Sequence, residues 1–470
     1  MIPALAGLFV SALTGWCVCA LLWPESRGVA RIRILRACLG AALGMLISSI
    51  LTFIALNLHE MNRTTILSLD LATLSLAAVL LIRRQRAGGP RPPGAGSEEV
   101  VLLSHRVLLV ALALAILAAG AAVVAVHSSL PYGDWDAWAI WNLKAKFFFA
   151  GGNTWSGAFS ELIDWSHPDY PLLLPLNVAR LWVLADASSP EAAVMLSAFF
   201  ALLTVGTLFT SLSVLRGRVQ GALAGLALLA TPAFLMQGAS QTADLPVGCF
   251  LLGSICAARL ALLPQLGQRQ LLTISGLLAG AAAWTKNEGI LMVLAVLIGL
   301  SVTALRTNGP RRAAELLRPF LLGLAAPACC TLILKVAFAS RSDLLQDQSL
   351  ATLVARFCDA SRHALILSAF AKVSWTVPGP WLLTPLAVGL LAAAWLERPR
   401  SETLLIQGAL PLLIIGAGFY AIYLFTPHDL AFHLASSCHR LFLQLWPSLL
   451  FVLLGCVGFP SAALGLKSPK

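Results

Sequence analysis

Charge is scarce in this chain: Asp, Glu, Lys and Arg make up 11% of its 470 residues, against roughly 25% in soluble globular proteins. So little charge excludes a water-facing surface of ordinary size, and with it a soluble fold. Carboxylates are scarcer than cations, 21 against 32, for a formal charge of +11. In a soluble protein that excess would suggest a nucleic-acid partner; here it belongs to topology, and no nucleic acid is expected. The ten cysteines lack zinc spacing, since Cys17-Val-Cys19 and Cys329-Cys330 have no His partners. Most read as small apolar residues inside apolar runs, and only Cys358 and Cys438 fall where an outer-loop disulfide is available. No Lys or Arg precedes the first apolar run, Ile2 to Trp23, and no small-residue cleavage site closes it, so an uncleaved first span is expected. No internal repeat is visible, which weakens an inverted-repeat transporter.

What is present is apolar length. Runs of about 17 to 25 residues are long enough to cross roughly 30 Å of hydrocarbon as helices. They recur at 3–23, 34–57, 64–82, 106–127, 190–215, 219–238, 243–263, 271–285, 289–305, 316–340, 378–396, 403–425 and 441–460. The pattern predicts an all-α polytopic membrane protein of about thirteen transmembrane helices. The basic loops are Arg27 to Arg36, Arg83 to Arg106, Arg216 and Arg218, Arg269, Arg306 to Arg318, Arg398 and Arg400, and Lys467 and Lys470. All of them fall on one side, which the positive-inside rule makes cytoplasmic, with the N-terminus outside and the C-terminus inside.

Two segments test that count. One helix over 271–305 would be about 52 Å long at 1.5 Å per residue, too long for one crossing. A broken hairpin is expected instead, with Lys286-Asn287-Glu288-Gly289 at its apex. Tyr170 to Asp186 is apolar but short and bounded by Pro168, Pro171 and Pro175, so it reads as interfacial or re-entrant. Residues 128–189 then form one large external loop, uncommon without a function. The Pro/Gly linker Gly88 to Gly94 is cytoplasmic and divides three leading helices, 1–105, from a core, 106–470.

With sides assigned, carboxylates, histidines and cations from several distant loops converge outside, as a site built between helices requires. Trp135, Trp138 and Trp141 share one face if Asp134 to Phe149 is helical, with Asp136 roughly opposite. Indole anchoring at headgroup depth and capping by Asp134 explain part of this segment and leave Asp136 available as a general base. Asp169 and His167 sit in a proline-fixed turn, His167-Pro168-Asp169-Tyr170-Pro171. Asp244 opens a span, where capping explains it equally well. Lys286 and Glu288 either pair with each other or serve a ligand. Asp343 joins the same outer layer. Thr426-Pro427-His428-Asp429 leads through His433 to Arg440, which faces outward against the positive-inside trend, so that a bound phosphate or outer-leaflet lipid explains it.

The strings GDWDAWAIWNLKAKFF, HPDYPLLLP, ADLP, WTKNEG and TPHDLAFHLASSCHRLFLQLWP resemble those of a bacterial branch of the GT-C superfold. That group comprises polyprenyl-phosphate-sugar-dependent glycosyltransferases, among them protein O-mannosyltransferases and the aminoarabinose transferase acting on lipid A. The resemblance runs from about residue 106 to 460 and implies a GT-C-like bundle with external juxtamembrane helices. It also implies an acidic residue serving as catalytic base in the first large external loop and a second acidic residue opening a later one, places held here by Asp134 or Asp136 and by Asp244. The chain has Asp-Trp-Asp where better-known members carry Asp-Glu, and lacks their Pro-Pro-Leu.

The resulting expectation is an inverting transferase of the bacterial inner membrane and cell envelope. It would move a sugar from a polyprenyl-phosphate donor to a glycan, lipid or protein acceptor at the external face. Asp136 or Asp134 is catalytic; Asp244, His167, Asp169 and Glu288 position the acceptor or a metal; Lys286, Arg440 and His433 bind the donor phosphate. No cofactor is required, although a divalent cation is compatible. The alternative is a transporter or lipid flippase, for which polar residues should line a path and appear on both faces.

Overall fold

A computed structural model describes residues 1–24, 30–87, 103–339, 348–379 and 405–456. The expected span 378–396, the Gly88 to Gly94 linker, Arg27, Arg91, Asp343, Arg398, Arg400, Lys467 and Lys470 lie wholly or almost wholly outside them. The described residues form helices and no strand: α1 (Ile2–Leu22), α2 (Ala30–Asn57), α3 (Arg63–Ala87), α4 (Leu103–Ser129), α5 (Asn142–Ala150), α6 (Leu173–Ala185), α7 (Pro190–Leu215), α8 (Arg218–Leu229), α9 (Pro232–Gln237), α10 (Asp244–Leu260), α11 (Gln268–Thr285), α12 (Glu288–Ala337), α13 (Leu350–Cys358), α14 (Ala360–Thr376), α15 (Leu410–Phe425) and α16 (Leu430–Cys456).

The chain is an all-α polytopic membrane protein. Nine helical segments among the described residues are long and apolar enough to cross a bilayer: α1, α2, α3, most of α4, α7, both arms of α12, α15 with the turn before it, and α16. Gly309, at φ +74°, separates the two arms of α12. The expected span 219–238 is broken at Pro232 into α8 and α9, because proline cannot donate to the preceding turn. Every residue of α10 except Arg259 is buried, so this helix forms the centre, as an apolar surface on all sides demands.

The hairpin expected over 271–305 is formed by α11 and the first arm of α12. Gly289 permits its tightness, because a Cβ there would lie 2.0 Å from the Ala282 carbonyl oxygen. The short segment after Tyr170 packs inside the bundle rather than along its surface. Every residue of α6 from Leu173 to Leu184 is buried, against α1, α2, α3 and α5. Its polar residues explain this, since Asn177 donates to the Met45 carbonyl at 3.0 Å and Arg180 pairs with Asp70 of α3 at 2.5 Å. These partners are what make their burial tolerable. The helices α13 and α14 were not anticipated.

Contacts between loops sort the two ends of the bundle. At one end Arg31 donates to the Ser213 carbonyl at 2.7 Å, Trp23 to Leu266 at 2.6 Å and Arg216 to Gly455 at 2.7 Å. At the other, Asn142 meets Gln241 at 2.9 Å and Asn287 meets Asp169 at 2.6 Å. These are the same two groups of loops that the arginines separate in the sequence. Cys358 is exposed and Cys438 buried, and neither forms a disulfide.

Candidate active site

The site is built by three anchored loops and two helices. Gly133, at φ +72°, lets the chain touch the loop before α10, where a Cβ would come within 2.4 Å of the Ser240 carbonyl oxygen. Asp134 then donates its backbone N–H to that carbonyl at 3.2 Å. Gln241 donates to the Pro131 carbonyl at 2.8 Å, and Ser240 and Thr242 bond Gln237 at 2.7 and 2.8 Å. With both loops fixed, Asp136 and Asp244 face the same side chain, Arg440 of α16.

Arg440 forms an ion pair with Asp136 and lies 3.8 Å from Asp244. Asp244 accepts from Lys286 at 2.8 Å and from Gln444 at 2.6 Å, and Lys286 also pairs with Glu288 at 2.9 Å. Capping therefore does not explain Asp244: its carboxylate is occupied by side chains of α16 and of the α11–α12 apex. One network thus joins Asp136, Asp244, Lys286, Glu288 and Arg440, five residues spread over 304 positions. It contains three carboxylates and two cations. In surroundings this poor in water their attraction is far stronger than at an exposed surface.

Asp134 stands beside the network. Burial raises its carboxyl pKa above the ordinary value, Arg440 opposes the shift, and the Asp136 and Asp244 carboxylates reinforce it. Its carbonyl accepts from Ala137 at 2.9 Å. The tryptophan segment departs from the expected single face. Trp135 and Trp138 are about half exposed, with ring centroids 5.8 Å apart, and a π-helical turn over Ala137–Trp141 carries Trp141 inward against Tyr170, 5.6 Å between centroids. A wider i→i+5 turn shifts the third indole out of line with the others.

A second polar cluster supports the first. Asp169 accepts from Asn287 at 2.6 Å, and Lys335 donates to the Asp169 carbonyl at 2.5 Å and to Asn287 at 2.7 Å. Fully buried Lys144 donates to the His167 carbonyl, and burial lowers its pKa to about 7, with Asp169 raising it and Lys335 lowering it further. His167, at φ +49°, stacks on Tyr170 at 4.6 Å, and through Asp169 and Asn287 the proline-bounded turn is joined to the apex that carries Lys286 and Glu288. His433 bonds Thr426 at 2.9 Å and packs edge-on to Tyr423, two turns before Arg440 on the same helix face. Tyr423 itself lies near Glu288 and Arg440.

Gln444, Lys335 and Tyr423 escaped the sequence reading. Arg440 and Gln444 are four apart on one helix, a spacing that could have drawn attention to the amide. Among the described residues no three His, Cys, Asp or Glu side chains gather as ligands for a metal ion.

The dolichyl-phosphate-mannose-protein mannosyltransferase family matches residues 169–334. The match takes in Asp169, Asp244, Lys286 and Glu288 and leaves Asp134, Asp136 and Arg440 outside it. No curated protein and no solved structure matches the chain. The family match supports a membrane glycosyltransferase that uses a polyprenyl-phosphate sugar donor.

Proposed function

We propose that the chain is an inverting glycosyltransferase of the bacterial inner membrane, of GT-C type, working at the external face on a glycan, lipid or protein acceptor. The observation that carries this is the single network of Asp136, Asp244, Lys286, Glu288 and Arg440. It supplies a carboxylate base and two cations within one site. The N-terminus then lies outside and the C-terminus in the cytoplasm, since the arginine-rich end is opposite.

Asp136 takes the proton as the acceptor oxygen bonds to the anomeric carbon. The bond from that carbon to phosphate breaks, its electron pair staying on the phosphate oxygen, where Lys286 and Arg440 stabilise the charge. Arg440 is held by Asp136. Donor phosphate competes for that guanidinium, which frees the carboxylate and favours donor binding before acceptor. Asp244 positions Lys286 and Arg440, and Asp134 is the alternative base. Asp169 and His167 position the acceptor, and His433 lines the approach of the donor phosphate. No metal is required, and a divalent cation is an optional aid.

Purified protein supplied with radiolabelled polyprenyl-phosphate sugar tests the assignment. Asp136→Asn should lower turnover by a factor of about 10² to 10⁴, the usual contribution of a general base. Unchanged turnover in that variant, with loss in Asp134→Asn, would transfer the role to Asp134. Substrate counter-flow in liposomes with no covalent product would replace transfer by transport.

A further inference from the structure

Three buried polar atoms around Asp244 have no hydrogen-bond partner: Glu288 Oε2, Gln444 Oε1 and Arg440 Nε. Gln444 is 1% exposed, and its orientation is fixed, because the amide nitrogen must face the Asp244 carboxylate at 2.6 Å. The carbonyl oxygen is therefore the end left over. Glu288 is fixed likewise, with Oε1 on Lys286 at 2.9 Å and Oε2 unused. Leaving buried polar groups unpaired is costly, and such groups are uncommon in folded proteins.

The chemistry of these atoms selects the ligand. The phosphodiester of a polyprenyl-phosphate sugar offers only acceptors, so it can satisfy Arg440 Nε but neither Glu288 Oε2 nor Gln444 Oε1. Those two need hydrogen-bond donors, and a polyhydroxylated ring supplies donors and acceptors together. We infer that Glu288 and Gln444 form the subsite that reads ring hydroxyls of the donor sugar. This rests on the transfer reading above, which puts the donor phosphate on Lys286 and Arg440. The sugar carried by that phosphate is then the hydroxylated group nearest to the two acceptors. They are specificity residues, distinct from the cations that take the phosphate.

The test compares equilibrium binding of bare polyprenyl phosphate with that of polyprenyl phosphate carrying mannose, glucose or galactose. The proteins are wild type, Gln444→Met and Glu288→Gln; the glutamine presents a donor where the carboxylate presents an acceptor. Wild type should prefer at least one sugar-bearing lipid. Each variant should lose about tenfold of that preference, read as the ratio of sugar-bearing to bare lipid affinity so that any common change in phosphate binding cancels.

A ratio unchanged in both variants, with the two affinities moving together or not at all, would overturn the subsite. Competition by free glycan but no preference for sugar-bearing lipid would assign the hydroxyls to the acceptor and overturn it as well. If either variant fails to fold, wild type is titrated with donors stripped of single ring hydroxyls. About tenfold weaker binding for one of them supports the subsite, and uniform affinity refutes it. Wild-type protein that binds neither lipid would sink the transfer reading itself, and the subsite with it.

Discussion

Replacing Lys286 by Met asks how much of the site's charge is held by mutual pairing. Lys286 and Asp244 are both buried and 2.8 Å apart, and removing one partner of such a pair typically costs about 3–5 kcal/mol because the other charge is left uncompensated. Asp244 keeps Gln444 at 2.6 Å and Arg440 at 3.8 Å, which places the expected loss near the lower end, about 3 kcal/mol. Asp244→Asn should cost less, because Lys286 retains Glu288 at 2.9 Å. The double variant carries neither charge, so its loss should fall short of the two single losses by roughly 2 kcal/mol. A chain this long has an unfolding entropy of about 1 kcal/mol/K, so Lys286→Met should lower the midpoint by roughly 3 °C. Thermal unfolding of the detergent-solubilised protein measures all three. A Lys286→Met midpoint equal to wild type, or a double variant as unstable as the two losses added, would refute the buried pairing. Turnover should be lost in all three variants.

Arg180→Met should destabilise by a similar amount, roughly 3–5 kcal/mol, since it leaves Asp70 buried and also removes a donor to the Gly7 carbonyl. Adding Asp70→Asn should restore most of the loss in the same thermal assay. Lys144 titrates near 7 when folded and at its ordinary 10.5 when unfolded. Between those values the unfolded chain binds a proton that the folded protein does not, so stability should rise with pH from about 7 towards 10. Lys144→Met should flatten that rise, and an unchanged slope would show that the amine is solvated. Turnover should persist in excess EDTA, because two cations suffice for the leaving phosphate; loss reversed by Mg²⁺ or Mn²⁺ would make a divalent ion obligatory.

The spans were legible wherever one apolar run matched one crossing. The expected 3–23, 34–57 and 190–215 correspond to Ile2–Leu22, Ala30–Asn57 and Pro190–Leu215. In a lipid solvent each such run must satisfy its own backbone, which leaves little freedom beyond the helix. Legibility failed where tertiary packing decides. The helices over Leu350–Cys358 and Ala360–Thr376 are interrupted by Arg356, Arg362, His363 and Lys372, and their apolar pattern is too short to read as a crossing. The π-helical turn that moves Trp141 inward leaves no mark in residue spacing. Asp70 and Arg180 each stand out as a charge in apolar surroundings, but nothing local says that they pair across 110 positions.

The site was legible for a related reason, and its limits follow from the same physics. In so apolar a chain an ionised side chain is expensive unless partnered, so the charges that cluster at one end announce a site before any geometry is known. Partner choice is a different matter. Asp244 could have capped its helix, Lys286 could have paired with Glu288 alone, and Arg440 could have faced lipid; each option satisfies one charge locally. The structure satisfies them jointly, through Asp136–Arg440, Asp244–Lys286 and Gln444–Asp244. A joint solution of three carboxylates and two cations is a poor way to gain stability, because apolar replacements of equal volume commonly do as well or better. It is a good way to keep two cations fixed and desolvated, since an incoming phosphate can replace the Asp136 carboxylate on Arg440 and leave that carboxylate ready to take a proton.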